Sequence, residues 1–197
     1  MNVAGLVQLC QFEHPANYFH AIEPAAAPPR SPEELAAFVT TVLRDTLGPA
    51  DGIAAGIAFR AARAGSLDIL PEVGLALAQR PVAPRLASVK TGEYLWGISR
   101  TWPWTRQIHE QVDPLASRTQ LHHAMAFGAL ASETTSSQLR AIATCLFNTA
   151  RNIILAACRV IPLPESEGER VLAGIGPEIT ELAGRYADRG AGEILIR

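Results

Sequence analysis

The chain has 197 residues, 48% hydrophobic and 18% charged, with 17 basic against 19 acidic side chains and a formal charge of -2. That length suits one packed domain with a real core, and the charge balance, with Lys90 as the only lysine and no run of arginines, excludes the basic stripe that nucleic-acid binding needs. Cys10, Cys145 and Cys158 are widely spaced and form no CxxC pair, which fits buried thiols in a reducing compartment better than a disulfide frame or a zinc site.

The apolar surplus hints at a buried subunit interface, although abundant alanine raises the same score. The N-terminus shows no signal-peptide or lipidation pattern. The most apolar stretch, 141–158, contains Asn148, Arg151 and Asn152. A charge at mid-span costs about 2.5–3.5 kcal/mol for membrane insertion, so a cytoplasmic protein without a membrane partner is expected.

Helical periodicity dominates and strand alternation is scarce. Leu6, Val7 and Leu9 begin a short N-terminal segment, followed by a connection over 13–32 whose prolines, Pro15, Pro24, Pro28, Pro29 and Pro32, forbid a continuous helix. Ser31-Pro32-Glu33-Glu34 is a helix start, with Ser31 as cap and Glu34 completing a capping box. Leu35, Phe38, Val39, Val42, Leu43 and Leu47 then recur at helical spacing until Gly48-Pro49, the expected stop. Asp51 is expected to open a helix that ends near Gly65, and Ser66-Leu67-Asp68 a shorter one carrying Val73, Leu75 and Leu77. A helix over 85–102 would turn Leu86, Val89, Leu95, Trp96 and Ile98 inward. Pro103 and Pro114 bound an expected loop.

A further helix is expected over 122–131. Thr135 and Gln138 then form a capping-box pair for a long helix striped by Leu139, Ile142, Leu146, Ala150, Ile153, Ile154 and Ala157, which at 1.5 Å per residue would be about 35 Å long. Ser166 and Glu169 would cap the last helix, kinked at Gly176-Pro177. The expectation is an all-α, single-domain helical bundle over 1–197 with one long central helix. Residues 1–31 are the N-terminal segment and proline-rich connection, and 32–190 the helical core.

Few residues suggest chemistry. No HExxH, GxSxG or GxxxxGK[ST] occurs, so no catalytic residue is assigned and the chain is expected not to be an enzyme. His122-His123 is the one adjacent histidine pair. Neighbouring helical residues point about 100° apart, so the pair reads either as a metal contact across a symmetry axis or as one buried, hydrogen-bonded histidine beside an exposed one. His14 and His20 flank Tyr18 in the proline-rich connection and read as a partner or metal contact or as ordinary loop residues. Arg159, in the last turn of the long helix, suits the helix dipole. Arg151 must face water or an acid. Trp96, Trp102 and Trp104 form either an interface anchor or a core corner.

Read in order, several segments resemble the UreF family of urease accessory proteins. Pro84-Arg85-Leu-Ala-Ser88-Val-Lys-Thr-Gly92-Glu-Tyr-Leu95 resembles the family's Arg-x-x-Ser-x-x-x-Gly-x-x-Leu helix. His123-Ala-Met-Ala-Phe127-Gly128 resembles its His-x-x-x-Phe-Gly element. Arg159-Val-Ile-Pro162-Leu163 followed by Gly168-Glu-Arg170 resembles its Arg-Leu-x-Pro-Leu and Gly-Gln-Arg sequence, and Leu47-Gly48-Pro-Ala-Asp51 its early turn. Two departures stand out. The family's Pro-Val-Gly-Gly-Phe-x-Tyr-Ser-x-Gly-Leu-Glu region corresponds here to FEHPANYFHAIE, which keeps Tyr18 and Glu23 but not the paired glycines. The family's extended C-terminal tail has no counterpart before Arg197.

The resemblance implies a helical, non-enzymatic assembly factor that dimerises and docks with UreD (also called UreH) and the GTPase UreG to insert nickel into apo-urease. It implies no tightly bound cofactor and leaves open that nickel passes along the chain in transit. Tyr18, Glu23, Arg85, Ser88, Gly92, His123, Phe127, Gly128, Arg159, Pro162 and Leu163 become the expected partner-facing set. Two alternatives stand beside this reading: a small ligand-binding or enzymatic bundle with a pocket around His122, His123 and the tryptophans, and a degenerate homologue that has lost nickel delivery.

Overall fold

The computed structural model describes residues 1–14, 29–116, 118–161 and 163–196. Tyr18, His20, Glu23 and Pro162 lie outside them. The described residues are helical and contain no strand. We number the helices α1 (Val3–Gln11), α2 (Pro32–Val42), α3 (Ile53–Ala64), α4 (Leu70–Leu77), α5 (Val82–Ser99), α6 (Arg106–Ala116), α7 (His123–Ala131), α8 (Gln138–Val160), α9 (Glu165–Gly174) and α10 (Gly176–Tyr186), with a π-helical segment at Leu43–Gly52 and single 3₁₀ turns at Leu67–Ile69 and Ala191–Glu193.

Two apolar clusters build the core. One gathers Leu9 and Phe12 beside α1, the alanine-rich face of α3, Leu70, Val73 and Leu77 of α4, Ile108 and Val112 of α6, and all of α7 from Ala124 onward. The other gathers Leu35 and Val39 of α2, Leu43 and Leu47, Val171 of α9, and Ile179 and Leu182 of α10. Helix α8 supplies Ala141 and Cys145 to the first and Ile142, Leu146, Ala150, Ile153 and Ala157 to the second. It is 23 residues long and apolar enough, by length and composition, to cross a membrane, but most of its apolar window is buried inside the bundle. The most enclosed helix is the shorter α7, every residue of which is buried.

Helices α3 and α7 approach closely because small residues face each other. Each side chain removed lets the two backbones near one another and recovers dispersion contacts along both. Gly128 is the tightest point: a Cβ there would fall on the Ala55 carbonyl oxygen and within 2.9 Å of the Ala55 carbonyl carbon and Cα. These are backbone atoms with no rotamer to yield. Gly128→Ala should therefore destabilise the protein by about 3 kcal/mol, the upper part of the overpacking range, read as a lower urea midpoint at unchanged slope.

The chain departs from the sequence reading in places that have physical causes. Gly48-Pro49 does not stop the helix. The chain runs from α2 through ten residues of π-helix into α3, with Pro49 inside. The wider i→i+5 pattern absorbs a residue that has no N–H to give, and the Pro49 carbonyl accepts instead from the Leu195 amide at 3.1 Å. Asp51 consequently opens no helix but sits buried within the π segment. Between Pro103 and Pro114 there is no loop but α6, whose Ile108 and Val112 are buried one turn apart. Pro114 falls in its last turn, where little helix remains to disrupt.

Cap assignments shift too. Ser31 caps α2, accepting from the Glu34 amide at 3.2 Å, but Glu34 reaches back to the Arg30 amide rather than that of Ser31. Helix α8 is capped by Ser137, which accepts from the Arg140 amide at 3.3 Å, while Thr135, two residues upstream, accepts from the Ser137 amide. Ser166 lies inside the first turn of α9 behind Pro164, and the expected kink at Gly176-Pro177 is a full break between α9 and α10. Gly65, at φ +64°, closes α3 in the left-handed region as read. Leu86 and Ile98, expected inside, are 47% and 38% exposed.

Candidate functional site, a buried polar core

The polar residues worth attention lie where the π segment, α1, α5, α7 and α8 meet. The π segment carries Asp51 inward, and the turn after α4 brings Arg80 to it. The guanidinium embraces the carboxylate with both nitrogens, Nη1 to Oδ1 at 3.2 Å and Nη2 to Oδ2, with the side chains 4% and 2% exposed. A buried pair of this kind gains little net stability over an apolar substitute, but each partner is costly to leave alone.

His122 is the N-cap residue of α7 and His123 its first residue. Both are buried, so neither is the solvent-facing member expected of the pair. Their rings diverge as adjacent residues must. His122 Nδ1 lies 3.2 Å from the Ser88 hydroxyl of α5. His123 faces the other way, stacked on Phe12 at 6.2 Å, edge-on to His14 at 4.5 Å and packed over Phe127 one turn on at 5.6 Å.

His14 is held by two asparagines of α8. Its amide donates to Asn152 Oδ1 and its Nε2 meets Asn148 Oδ1, both at 2.9 Å. The Asn148 amide nitrogen donates to the carbonyls of Leu9, Cys10 and Phe12 at 3.1, 3.1 and 2.8 Å, and the Asn152 amide nitrogen donates to Phe12 at 3.0 Å. These carbonyls are the orphan acceptors at the C-terminus of α1, so Asn148 caps a helix 136 residues away in sequence. With its nitrogen committed to carbonyls, the Asn148 oxygen is an acceptor, and His14 Nε2 carries the hydrogen.

Burial sets the charge state of the cluster. Desolvation, helped by the Arg80 charge, pushes His122 down to about 4 and His123 down to about 3. Desolvation and then the neighbouring His123 hold His14 well below the ordinary histidine value. Burial raises the Cys145 thiol well above its usual range. Neutral imidazoles, an inert thiol and one satisfied ion pair make a poor reactive centre. The Ser88–His122 contact has the form of a nucleophile and base, but both residues are fully buried. Among the described residues no group of three or more His, Cys, Asp or Glu could hold a metal ion. His122 and His123 do not converge on one point.

The remaining residues of the expected set separate cleanly. Ser88, Gly92, His123, Phe127 and Gly128 are buried within the chain. A Cβ at Gly92 would fall on the Leu121 carbonyl and within 2.8 Å of the His123 amide, so this glycine lets α5 pass against the start of α7. Arg85 donates to the Ala78 carbonyl at 3.1 Å and closes the end of α4. Arg159 is exposed in the last turn of α8 and Leu163 is half-buried. Trp96 is buried and donates to Asp113 at 2.9 Å, Trp104 donates to Gln8 at 2.7 Å, and Trp102 stacks on Trp104 at 5.3 Å, which makes the three a corner of the core. Arg151 is half-buried, with its Nη1 enclosed and unpartnered. The sequence reading missed Arg80 and the capping role of Asn148 and Asn152. Two asparagines one turn apart on an apolar helix were the available signal.

The UreF family model matches residues 30–176, a span running from α2 to the start of α10 that contains every residue of the polar core except Phe12 and His14. Three proteins named urease accessory protein UreF align over most of the chain. That of Xanthobacter autotrophicus is 30% identical over 84% of this chain and 69% of its own length. That of Azorhizobium caulinodans is 29% identical over 85% and 73%, and that of Geobacillus kaustophilus 26% over 77% and 65%. The helical fold, the ordered motifs around Ser88, Gly92, His123 and Gly128, and the extent of this match together place the chain in the UreF family.

Proposed function

We propose that this chain is a urease accessory protein of the cytoplasm, a non-enzymatic scaffold in the complex that inserts nickel into apo-urease. It would work as a homodimer that docks with UreD/UreH and the GTPase UreG and regulates GTP hydrolysis there. Nickel would be cargo in transit, with no cofactor held by the chain. The observation that carries this reading is the family match over residues 30–176, strengthened by relatives of the same name aligned along most of the chain.

The surface supports a docking role. Val3 and Val7 of α1 and Leu86, Tyr94 and Ile98 of α5 are large apolar side chains left exposed, and such residues stabilise a complex when a partner covers them. The participation of α8 in both apolar clusters supports a single domain over residues 1–197.

The test is complementation. In a strain lacking its own UreF, this chain should restore urease activity in nickel medium, and tagged protein should retain UreD/UreH and UreG on a column. Light scattering of the purified chain should give twice the monomer mass. A monomer that retains neither partner would overturn the scaffold reading. A dimer that retains both yet restores no activity would mark a homologue that keeps docking without nickel delivery.

A further inference from the structure

Helix α5 turns one face to solvent. Leu86, Lys90, Glu93 and Gly97 are exposed along it, and at 3.6 residues per turn they fall within about 60° of one another around the helix. Leu86 is a large apolar side chain that projects half exposed. Gly97 is its opposite. A Cβ there would meet nothing within 4 Å, and the glycine lines a surface recess of about 630 Å³ together with Glu93, Trp96, Arg100 and Leu121. Between the projecting side chain and the recess stand Lys90 and Glu93, opposite charges three residues apart.

We propose that α5 pairs antiparallel with α5 of a second copy of this chain across a two-fold axis, with Leu86 of each copy seated in the recess over Gly97 of the other and Lys90 of each meeting Glu93 of the other. This names the face of the homodimer proposed above and rests on that reading.

The spacing carries the inference. A two-fold axis between antiparallel helices makes every contact occur twice, with the two residues of each pair equally far from the axis. Leu86 with Gly97 and Lys90 with Glu93 share one midpoint, between residues 91 and 92. A single axis therefore serves both pairs. A foreign helix would have to supply its own projection, gap and charges at this same spacing, whereas the chain already carries all of them. An isologous contact must also tolerate meeting its own charge. One cation beside one anion does so, where a patch of one sign would repel its copy. The absent side chain at Gly97 admits close approach, and Leu86 leaves water twice in each dimer. Val82 and Tyr94, exposed on either flank of the face, extend the apolar area toward the roughly 800 Å² per partner that stable interfaces bury.

Sedimentation of the purified full chain and its variants over a range of concentration tests this. Lys90→Glu and Glu93→Lys should each raise the dimer Kd by at least about tenfold, because each sets two pairs of like charges face to face. The two changes together restore opposite charges across the axis and should return the Kd to within about threefold of the starting value. Gly97→Leu fills the recess from a position with open space around it. It should give monomers whose circular dichroism still shows intact helices. Lys90 is the only lysine and lies close to the axis, so a short amine-reactive crosslinker should join two chains from Lys90 to Lys90. A dimer that survives both Lys90→Glu and Gly97→Leu, or that yields no such crosslink, would overturn this face and leave the homodimer standing. A monomeric unaltered chain would overturn the homodimer and this face together, leaving the face to another protein.

Discussion

Between pH 7.5 and pH 5.0 the protein is expected to lose about 4 kcal/mol of global stability from His122 and His123 alone. Both have folded-state values pushed down, to about 4 and about 3, whereas in the unfolded chain both titrate near 6.5. A lowered folded-state pKa means that the unfolded state binds more protons on acidification. The stabilisation is therefore complete above about pH 6.5 and is lost as pH falls toward the folded-state values. The slope is about 1.4 kcal/mol per pH unit for each ring, so 1.5 units below 6.5 remove about 2 kcal/mol apiece. Urea unfolding followed by far-UV circular dichroism at the two pH values measures this directly, the midpoint falling with little change in slope. His123→Phe should lessen the pH dependence by about half while lowering stability at pH 7.5 by a smaller amount, since its surroundings of Phe12 and Phe127 are apolar. Equal midpoints at pH 7.5 and 5.0 would show that the rings are not held neutral in the fold.

Arg80→Met should destabilise the protein by about 3–5 kcal/mol at neutral pH, among the largest effects of any single substitution, because it strands the Asp51 carboxylate inside the bundle. Asp51→Leu should also destabilise the protein, because it removes the carboxylate that both guanidinium nitrogens meet. The double substitution should be much milder than the sum and close to neutral, since the cost of each single change is the uncompensated charge and not the lost attraction. Denaturation of all four proteins closes the cycle. A loss below about 1 kcal/mol in both single variants would mean that water reaches the pair. A further sign separates the outcomes: His122 and His123 sit under the Arg80 charge, so Arg80→Met should also soften the acid sensitivity described above.

Much of the helical layout was legible because helix formation is a local affair. Ser31-Pro32 announced α2, Gly65 ended α3, and the stripe from Ile142 to Ala157 marked α8, each through propensity and periodicity within a few residues. The misreadings cluster where a local stop signal was overruled by burial. Pro49 sits inside a helix because a π register and the distant Leu195 amide satisfy the backbone around it, and Pro114 because Ile108 and Val112 bury the helix before it and it falls in the last turn of α6. Leu86 and Ile98 were read inward from apolar spacing alone. Which flank of α5 meets the bundle depends on where α7 lies, and Gly92 decides that by admitting the α7 backbone.

The candidate site was legible only in part. His122 and His123 drew notice as a pair, and Gly92, Phe127 and Gly128 as motif members, but the motif positions turned out to be buried, their roles set by packing. Arg80 had no local mark at all, and Asp51 looked like a helix cap. Pairing a residue on the π segment with one after α4, or an asparagine of α8 with the end of α1, is a property of chain paths that no short window contains.

By itself the sequence determined the helical class, the placing of most helices and the family, since propensity, amphipathic period and ordered motifs are written in neighbouring residues. The tertiary structure decided the rest: that the one conspicuous histidine pair splits toward different partners, that the charge of Asp51 is met by Arg80, and that the C-terminus of α1 is capped by two asparagines of α8. The reason is that desolvation and hydrogen-bond geometry act between groups brought together across the fold, and their strength depends on burial, which a residue acquires only when the bundle closes around it.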